Sequence, residues 1–284
     1  MQKQFYNIVY IIKVFYKTSN VDFIIRNISH FNKLNKIFIV VNLADFIYDK
    51  TNIEQLKKTY QNVKIMKCTT YRTKFDPHVI CSVTNSLNYI LENMDFEYFV
   101  LSHDSEVYIK IVNMEIIKNN MIKCKKNDFD KNAIIKRITR DNDEYFWWKR
   151  FIQLENVFNY FMENEIEPLV NVCPAMTLSK ESVLKIMKNL NDICNNEYLN
   201  SEKRVLLDEI VYCSFLTYHS CEYFNSNYTY WTNDKREALK SEEVTLKELK
   251  KDLVNNNDKL KNVFSIKKSY KSVCDFVEKE LMRE

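Results

Sequence analysis

The chain has 284 residues, of which 46% are hydrophobic and 28% are charged, a composition typical of globular proteins and unlike that of disordered ones. Its net charge of +4 comes from 42 basic and 38 acidic residues, and this near balance argues against a general nucleic-acid-binding protein. Glycine is absent, which excludes the glycine-rich phosphate loops of the Walker and dinucleotide-binding kinds. A bound phosphate would therefore be held by side chains or by a helix N-terminus.

The N-terminal apolar run and the cysteines bear on the cellular compartment. The run from Ile8 to Tyr16 is too short to span a bilayer, carries Lys13 and lacks a small-residue cleavage site, so we interpret it as the first strand. The eight cysteines show no Cys-x-x-Cys spacing, which disfavours structural zinc. We expect reduced thiols and a cytoplasmic protein.

Strand and helix patterns alternate through the first third of the chain. The predicted strands are 7–15, 36–41, 63–66 and 98–101, and the helices between them are 21–34, 52–60 and 78–93. This alternation predicts a doubly wound, three-layer α/β/α fold with a mostly parallel central sheet, in a single domain over residues 1–284. We divide that domain into an N-terminal half (1–110), a basic insertion (111–150) and a C-terminal half (151–284).

Polar residues follow the fourth predicted strand directly. They are Ser102, His103, Asp104 and Glu106. Ligands of open α/β sheets bind outside the carboxyl ends of the strands, so we interpret this stretch as the floor of a nucleotide-sugar site. A helix cap at Asp104 and a loop position for His103 explain the same residues about equally well. The pair Asp104 and Glu106 also has the spacing of the acidic Asp-x-Asp pairs that hold Mn²⁺ or Mg²⁺ through oxygen ligands.

The segment from Lys118 to Arg140 is basic and irregular in pattern. A solvated insertion is the simpler interpretation, and an acceptor-binding or peripheral membrane-binding surface is the functional alternative. Two adjacent tryptophans follow, Trp147 and Trp148. They could stack on sugar rings, but packing in a core or an interface explains adjacent aromatic residues as often.

The C-terminal half shows two predicted helices with polar residues near their start. Ser179 is predicted to cap a helix that runs to Leu190. A helix over 200–219 carries Asp208 and Glu209 immediately before a run of apolar residues. Two carboxylates that enter a buried helix are costly unless they are used or paired, so a functional role and a cap or salt bridge both remain open.

Basic residues gather towards the end of the chain. Thr245 is predicted to cap a helix over 246–254, and a short strand at 263–268 delivers Lys267 and Lys268. Arg236 belongs to a second basic cluster, after an aromatic, strand-prone stretch at 223–231. Without glycine loops, these cations are the candidates for neutralising a diphosphate.

The order of these pieces resembles the core-2/I-branching β-1,6-N-acetylglucosaminyltransferases, which are inverting enzymes of the GT-A fold. Leu101-Ser-His-Asp104 is similar to that family's strand ending in Leu-Ser before a polar Asp. Leu178-Ser-Lys-Glu-Ser182 is similar to its Leu-Ser at the start of a helix, and Leu207-Asp-Glu-Ile-Val211 to its Asp-Glu before a hydrophobic helix. Phe264-Ser-Ile-Lys-Lys268 resembles its late Phe-Ala-Asn-Lys-Phe.

The resemblance implies metal-independent transfer of a sugar, N-acetylglucosamine in that family, from a UDP-sugar donor to a glycan hydroxyl. It also implies that Glu209 is the general base and that Lys267 and Arg236 bind the diphosphate. We complete the candidate site with residues singled out above: Asp208 beside the base, Lys268, Asp104, His103 and Ser102 at the donor, and Trp147, Trp148 and Glu106 at the acceptor. Two alternatives remain: a metal-dependent transferase that uses Asp104 and Glu106, and a non-catalytic carbohydrate-binding protein of the same fold.

Overall fold

The fold is taken from a computed structural model. It describes residues 3–14, 21–48, 52–68, 76–124, 135–137, 150–171, 176–195, 199, 205, 207–225, 227–228, 241–267 and 270–283.

The N-terminal part of the chain alternates strands and helices as the sequence predicts. The elements are β1 (Gln4–Val14), α1 (Val21–Phe31), β2 (Ile37–Ala44), α2 (Asp45–Tyr48), α3 (Ile53–Thr59), β3 (Val63–Cys68), α4 (Val79–Asn93) and β4 (Met94–His103). Helix α1 illustrates the cause, because its apolar residues recur at helical spacing and the buried side chains of Val21, Ile24, Ile25 and Ile28 share one face.

The rest of the chain contributes shorter strands and longer helices. The elements are β5 (Glu106–Tyr108), α5 (Met114–Asn120), β6 (Ile122–Lys123), β7 (Ile135–Arg137), α6 (Glu155–Glu163), β8 (Leu169–Asn171), β9 (Met176–Ser179), α7 (Lys180–Asn195), α8 (Leu207–Tyr218), β10 (Glu222–Asn225), β11 (Asn227–Tyr228), α9 (Glu242–Val254), β12 (Ser265–Lys267) and α10 (Lys271–Phe276). A 3₁₀ turn over Asp258–Leu260 precedes β12, and a π-helical turn over Val277–Leu281 follows α10.

A seven-stranded sheet organises the molecule, with the strand order β3-β2-β1-β4-β9-β10-β6. The first four strands in that order are parallel, as the sequence predicts. The remainder is mixed, because β9 runs antiparallel to β4, β10 antiparallel to β9, and β6 antiparallel to β10. The sheet takes strands from each of the three segments into which the sequence was divided, since β6 belongs to the basic insertion and β9 and β10 to the C-terminal half.

Helices cover both faces of this sheet. Alternate residues of β1 enter two different cores, with Val9 and Ile11 on one face and Ile8 and Ile12 on the other. The first face is covered by α4, α6, α7 and α8, and the second by α1, α3, α9 and α10. The α/β class and the layering about a central sheet are therefore as predicted.

Two smaller sheets complete the described part. One has the order β11-β12-β5, so that the end of the chain is joined to the turn that follows β4. The other pairs β7 with β8.

Helix α7 begins as the sequence predicts. The Ser179 side chain accepts a hydrogen bond from the backbone N–H of Ser182 at 3.1 Å. The prediction for α9 is wrong by one turn. Its cap is Ser241, whose hydroxyl oxygen accepts from the N–H of Val244 at 3.5 Å, while Thr245 lies inside the helix and donates to the Ser241 carbonyl.

The expectation that every cysteine is a reduced thiol is also wrong. The structure joins Cys81 of α4 to Cys194 of α7 in a disulfide, across a sequence separation of 113 residues. These two helices pack side by side on the same face of the sheet, which brings the two residues together. Among the described residues, five further cysteines remain thiols. No helix in the described ranges is both long and apolar enough to cross a membrane.

Candidate functional site

The carboxyl ends of β1 and β4 form the switch point of the sheet. The chain lays β1, β2 and β3 outward in one direction and then returns through α4 to place β4 on the opposite side of β1. Open α/β sheets bind ligands in the crevice outside the carboxyl ends of such a strand pair. Lys13 of β1 lies beside His103 of β4 in the register of this pair. The polar residues predicted after the fourth strand are therefore at this crevice.

The β4–β5 corner, defined here as residues 102–106, is a tight turn between two strands. The backbone N–H of Asp104 donates to the carbonyl oxygen of Lys13 at 3.0 Å, which ties the turn to β1. The Ser102 hydroxyl donates to Oε2 of Glu106 at 2.6 Å and closes the turn from inside. A second strand follows the turn, so Asp104 is not the cap of a helix.

Glu106 is the buried acid of this corner and is only 2% exposed. Burial raises the pKa of its carboxyl to about 7, while the Ser102 hydrogen bond, the charges of Lys267 and Lys13, and the backbone N–H of His103 act in the opposite direction. Its Oε1 atom is buried and has no hydrogen-bond partner among the described residues. This burial does not support the interpretation of Glu106 as an acceptor-binding residue, because a glycan would meet exposed groups first.

Lys267 reaches the corner from the far end of the chain. Strand β12 runs antiparallel to β5 and pairs Lys267 directly with Glu106. Directly opposed residues of an antiparallel ladder interact through their side chains, and the positive charge of Lys267 lowers the pKa of the Glu106 carboxyl. Lys267 is only partly buried. The structure therefore brings one of the predicted diphosphate-binding cations to the predicted acidic corner.

The first turn of α8 carries the second pair of predicted acids. The N-terminal end of a helix favours negative charge, and both Asp208 and Glu209 lie in this turn. Asp208 forms an ion pair with Lys13, in which the Lys13 side chain is 0% exposed and that of Asp208 is 10% exposed. The salt bridge that the sequence left open is therefore present at Asp208, and the catalytic assignment of Asp208 stays a prediction. Glu209 is partly exposed at the same end of the helix.

Lys13 is the site residue that the sequence reasoning missed. Its signal was present, because a lysine inside a strand of otherwise apolar residues must find a buried partner or destabilise the fold. The partner, Asp208, lies 195 residues away in the sequence, and no local pattern connects the two.

Several predicted site residues lie outside the described part of the chain. They are Trp147, Trp148, Arg236 and Lys268. Their assignments stay predictions. Within the described ranges, no group of three or more His, Cys, Asp or Glu side chains is arranged to hold a metal ion.

Two lysines with different surroundings lie at this crevice. The ammonium of Lys13 is buried against a carboxylate, whereas Lys267 is a partly exposed residue that pairs with Glu106 across two strands. A partly exposed cation at a switch point can receive an anionic ligand, and a partly exposed carboxylate such as Glu209 can accept a proton.

Comparison with known proteins adds no family to this geometry. The chain matches no protein-family model, and a search of curated proteins likewise gives no match.

Proposed function

We propose that the protein is an inverting glycosyltransferase that moves a sugar from a UDP-sugar to a hydroxyl group of a glycan. N-acetylglucosamine is the sugar that the sequence resemblance favours. The proposal rests chiefly on one observation, the pairing of Lys267 with Glu106 beside the switch point of a doubly wound sheet. That pairing brings a cation from the end of the chain to the place where such sheets bind nucleotides.

In the proposed reaction, Glu209 removes the proton from the acceptor hydroxyl while the oxygen of that hydroxyl attacks the anomeric carbon of the donor. The bond between that carbon and the diphosphate oxygen breaks at the same time, and UDP leaves with the bonding electrons. Partial exposure of Glu209 at the start of α8 supports this role, because a general base must reach its substrate.

Lys267 stabilises the negative charge that develops on the departing diphosphate. A positive group already in place at the leaving oxygen lowers the barrier without reorganisation during the reaction. Because the chain has no glycine, a glycine-rich backbone loop cannot bind the diphosphate. A cationic side chain binds it instead.

The metal-dependent alternative uses Asp104 and Glu106 as oxygen ligands for Mn²⁺ or Mg²⁺. One oxygen of Glu106 already accepts the Ser102 hydrogen bond, and the Lys267 charge lies across the strand pair from the same carboxyl. This environment of Glu106 supports a lysine rather than a divalent cation as the partner of the diphosphate. The effect of a chelator on activity distinguishes the two mechanisms.

A donor panel tests the proposal directly. Wild-type protein is incubated with UDP-, GDP- and CMP-sugars and a mixture of glycan acceptors, in EDTA and in Mn²⁺, and release of the nucleoside diphosphate or monophosphate is measured. We expect release from a UDP-sugar that persists in EDTA. Release only with Mn²⁺ supports the metal-dependent mechanism, and carbohydrate binding without release supports the non-catalytic alternative.

Two carboxylate variants then test the base. Glu209→Gln keeps the shape of the side chain but removes its basicity, so transfer should fall below detection while UDP affinity stays nearly intact. Glu163→Gln, an exposed position on α6, is the matched control and should transfer at the wild-type rate. A fully active Glu209→Gln variant would remove Glu209 from the mechanism.

A further inference from the structure

Lys13 connects the two halves of the candidate site through different atoms. Its carbonyl oxygen accepts from the N–H of Asp104 in the β4–β5 corner, and its ammonium forms the ion pair with Asp208 in α8. A fully buried lysine at the end of a central strand is costly to keep in a core. A residue of this kind is retained in some proteins because it fixes one arrangement of its neighbours.

The middle and the first turn of α8 are held by different contacts. Every residue from Ile210 to Thr217 is buried, and at mid-helix the Ser214 hydroxyl accepts from the backbone N–H of Leu169 at 2.8 Å. That contact lies more than one turn away from the first turn, which carries Glu209. Apolar cores accept alternative packings of similar energy more readily than polar networks do. The ion pair between Lys13 and Asp208 gives the first turn of α8 one defined position relative to β1.

We infer that Lys13 is a positioning residue that holds Glu209 at the switch point through Asp208. The inference rests on the proposed function, since Glu209 is its general base. The Lys13 side chain is wholly buried, so a substrate cannot reach it, and it acts on Glu209 through its ion pair with Asp208 in the same helical turn.

The test measures kcat and the donor KM of four variants with the donor found in the panel. In Lys13→Met the turn loses its anchor, and we expect kcat to fall about 100-fold with donor KM unchanged, the size that a displacement of about 1 Å produces. Lys13→Arg keeps the charge and should restore most of the turnover. Asp208→Asn should lower kcat, and the double variant Lys13→Met/Asp208→Asn should lose no more than Asp208→Asn alone, because the two residues act as one unit.

Leu56→Ala serves as the control for stability. Leu56 is a buried residue of α3, in the core on the opposite face of the sheet from α8, so its truncation destabilises the fold without creating a cavity beside the first turn of α8. At a temperature where all variants are folded, Leu56→Ala should keep the wild-type kcat. Should Lys13→Met fail to fold, Lys13→Met/Asp208→Leu takes its place, because an apolar pair in a buried position is often neutral for stability.

The outcomes are distinct. A folded variant without the ion pair that keeps the wild-type kcat overturns the inference and leaves the proposed function standing. The inference is also overturned if the fall in kcat of the double variant equals the product of the falls in the two single variants. That result would mean that Lys13 acts independently of Asp208. Wild-type protein that releases no nucleotide from any donor overturns the proposed function, and the inference falls with it.

Discussion

Two lysine–carboxylate pairs lie at the same edge of the sheet, and they are built differently. In the Lys13–Asp208 pair, the cation is completely buried and touches its partner. In the Lys267–Glu106 pair, the acid is the buried member, its hydrogen bond comes from Ser102, and the cation opposite is partly exposed. The first pair is arranged to hold elements together. The second leaves a partly exposed cation at the crevice, where we propose that the diphosphate binds.

Breaking the first pair should give the largest effect on stability. Lys13→Met leaves the Asp208 carboxylate without its buried cation, which should lower the free energy of unfolding by about 3–5 kcal/mol. Urea denaturation monitored by circular dichroism measures the change. Lys180→Met breaks the exposed pair with Asp95 and is the matched control, with an expected loss of no more than about 1 kcal/mol. Equal losses in the two variants would mean that the buried pair holds nothing in place.

The second pair should make the free energy of unfolding depend on pH. Because burial raises the pKa of Glu106 from its ordinary 4.5 to about 7, the folded protein binds its proton more tightly than the unfolded chain does. The stability that this proton contributes is complete below about pH 4.5 and is lost as the pH rises to about 7, a change of about 3 kcal/mol.

Glu106→Gln should remove this dependence, because the amide cannot titrate and can still accept from Ser102. The free energy of unfolding, measured by urea denaturation from pH 5 to pH 8, should fall more steeply for the wild type than for the variant. Glu97 is an exposed residue of β4, and Glu97→Gln should follow the wild-type slope. If Glu106→Gln also follows that slope, the acid of the second pair is not the titrating group.

The two pairs also mark how far the sequence could predict the structure. The polar residues at the end of β4 were recognisable because they directly follow a run of apolar residues, and the alternation of strands and helices placed them at the edge where open α/β sheets bind ligands. The partner of Lys13 was not predictable, since residues 13 and 208 meet only through the packing of α8 on the sheet. The same is true of the Cys81–Cys194 disulfide, which depends on how α4 packs against α7.

The burial of Glu106 was also not predictable from the sequence. Glu106 follows the same pattern of polar residues as Asp104, yet a strand of three residues, β5, pairs with β12 and encloses it. Strands of that length have no periodicity to recognise. The cap of α9 was predicted one turn too late because Ser241 and Thr245 are both good capping residues. They are four positions apart, which is about one helical turn.

The central claim, that the Lys267 charge serves a diphosphate, is tested most directly by titrating UDP into Lys267→Ala in the presence of EDTA. Isothermal calorimetry should show binding weaker than wild type by about 1.5–3 kcal/mol, or about 10- to 150-fold, the loss expected for a hydrogen bond to a charged group. Lys261→Ala, an exposed lysine that precedes β12, should bind as the wild type does. Wild-type affinity in Lys267→Ala would contradict the claim and place the nucleotide, if it binds, away from this crevice.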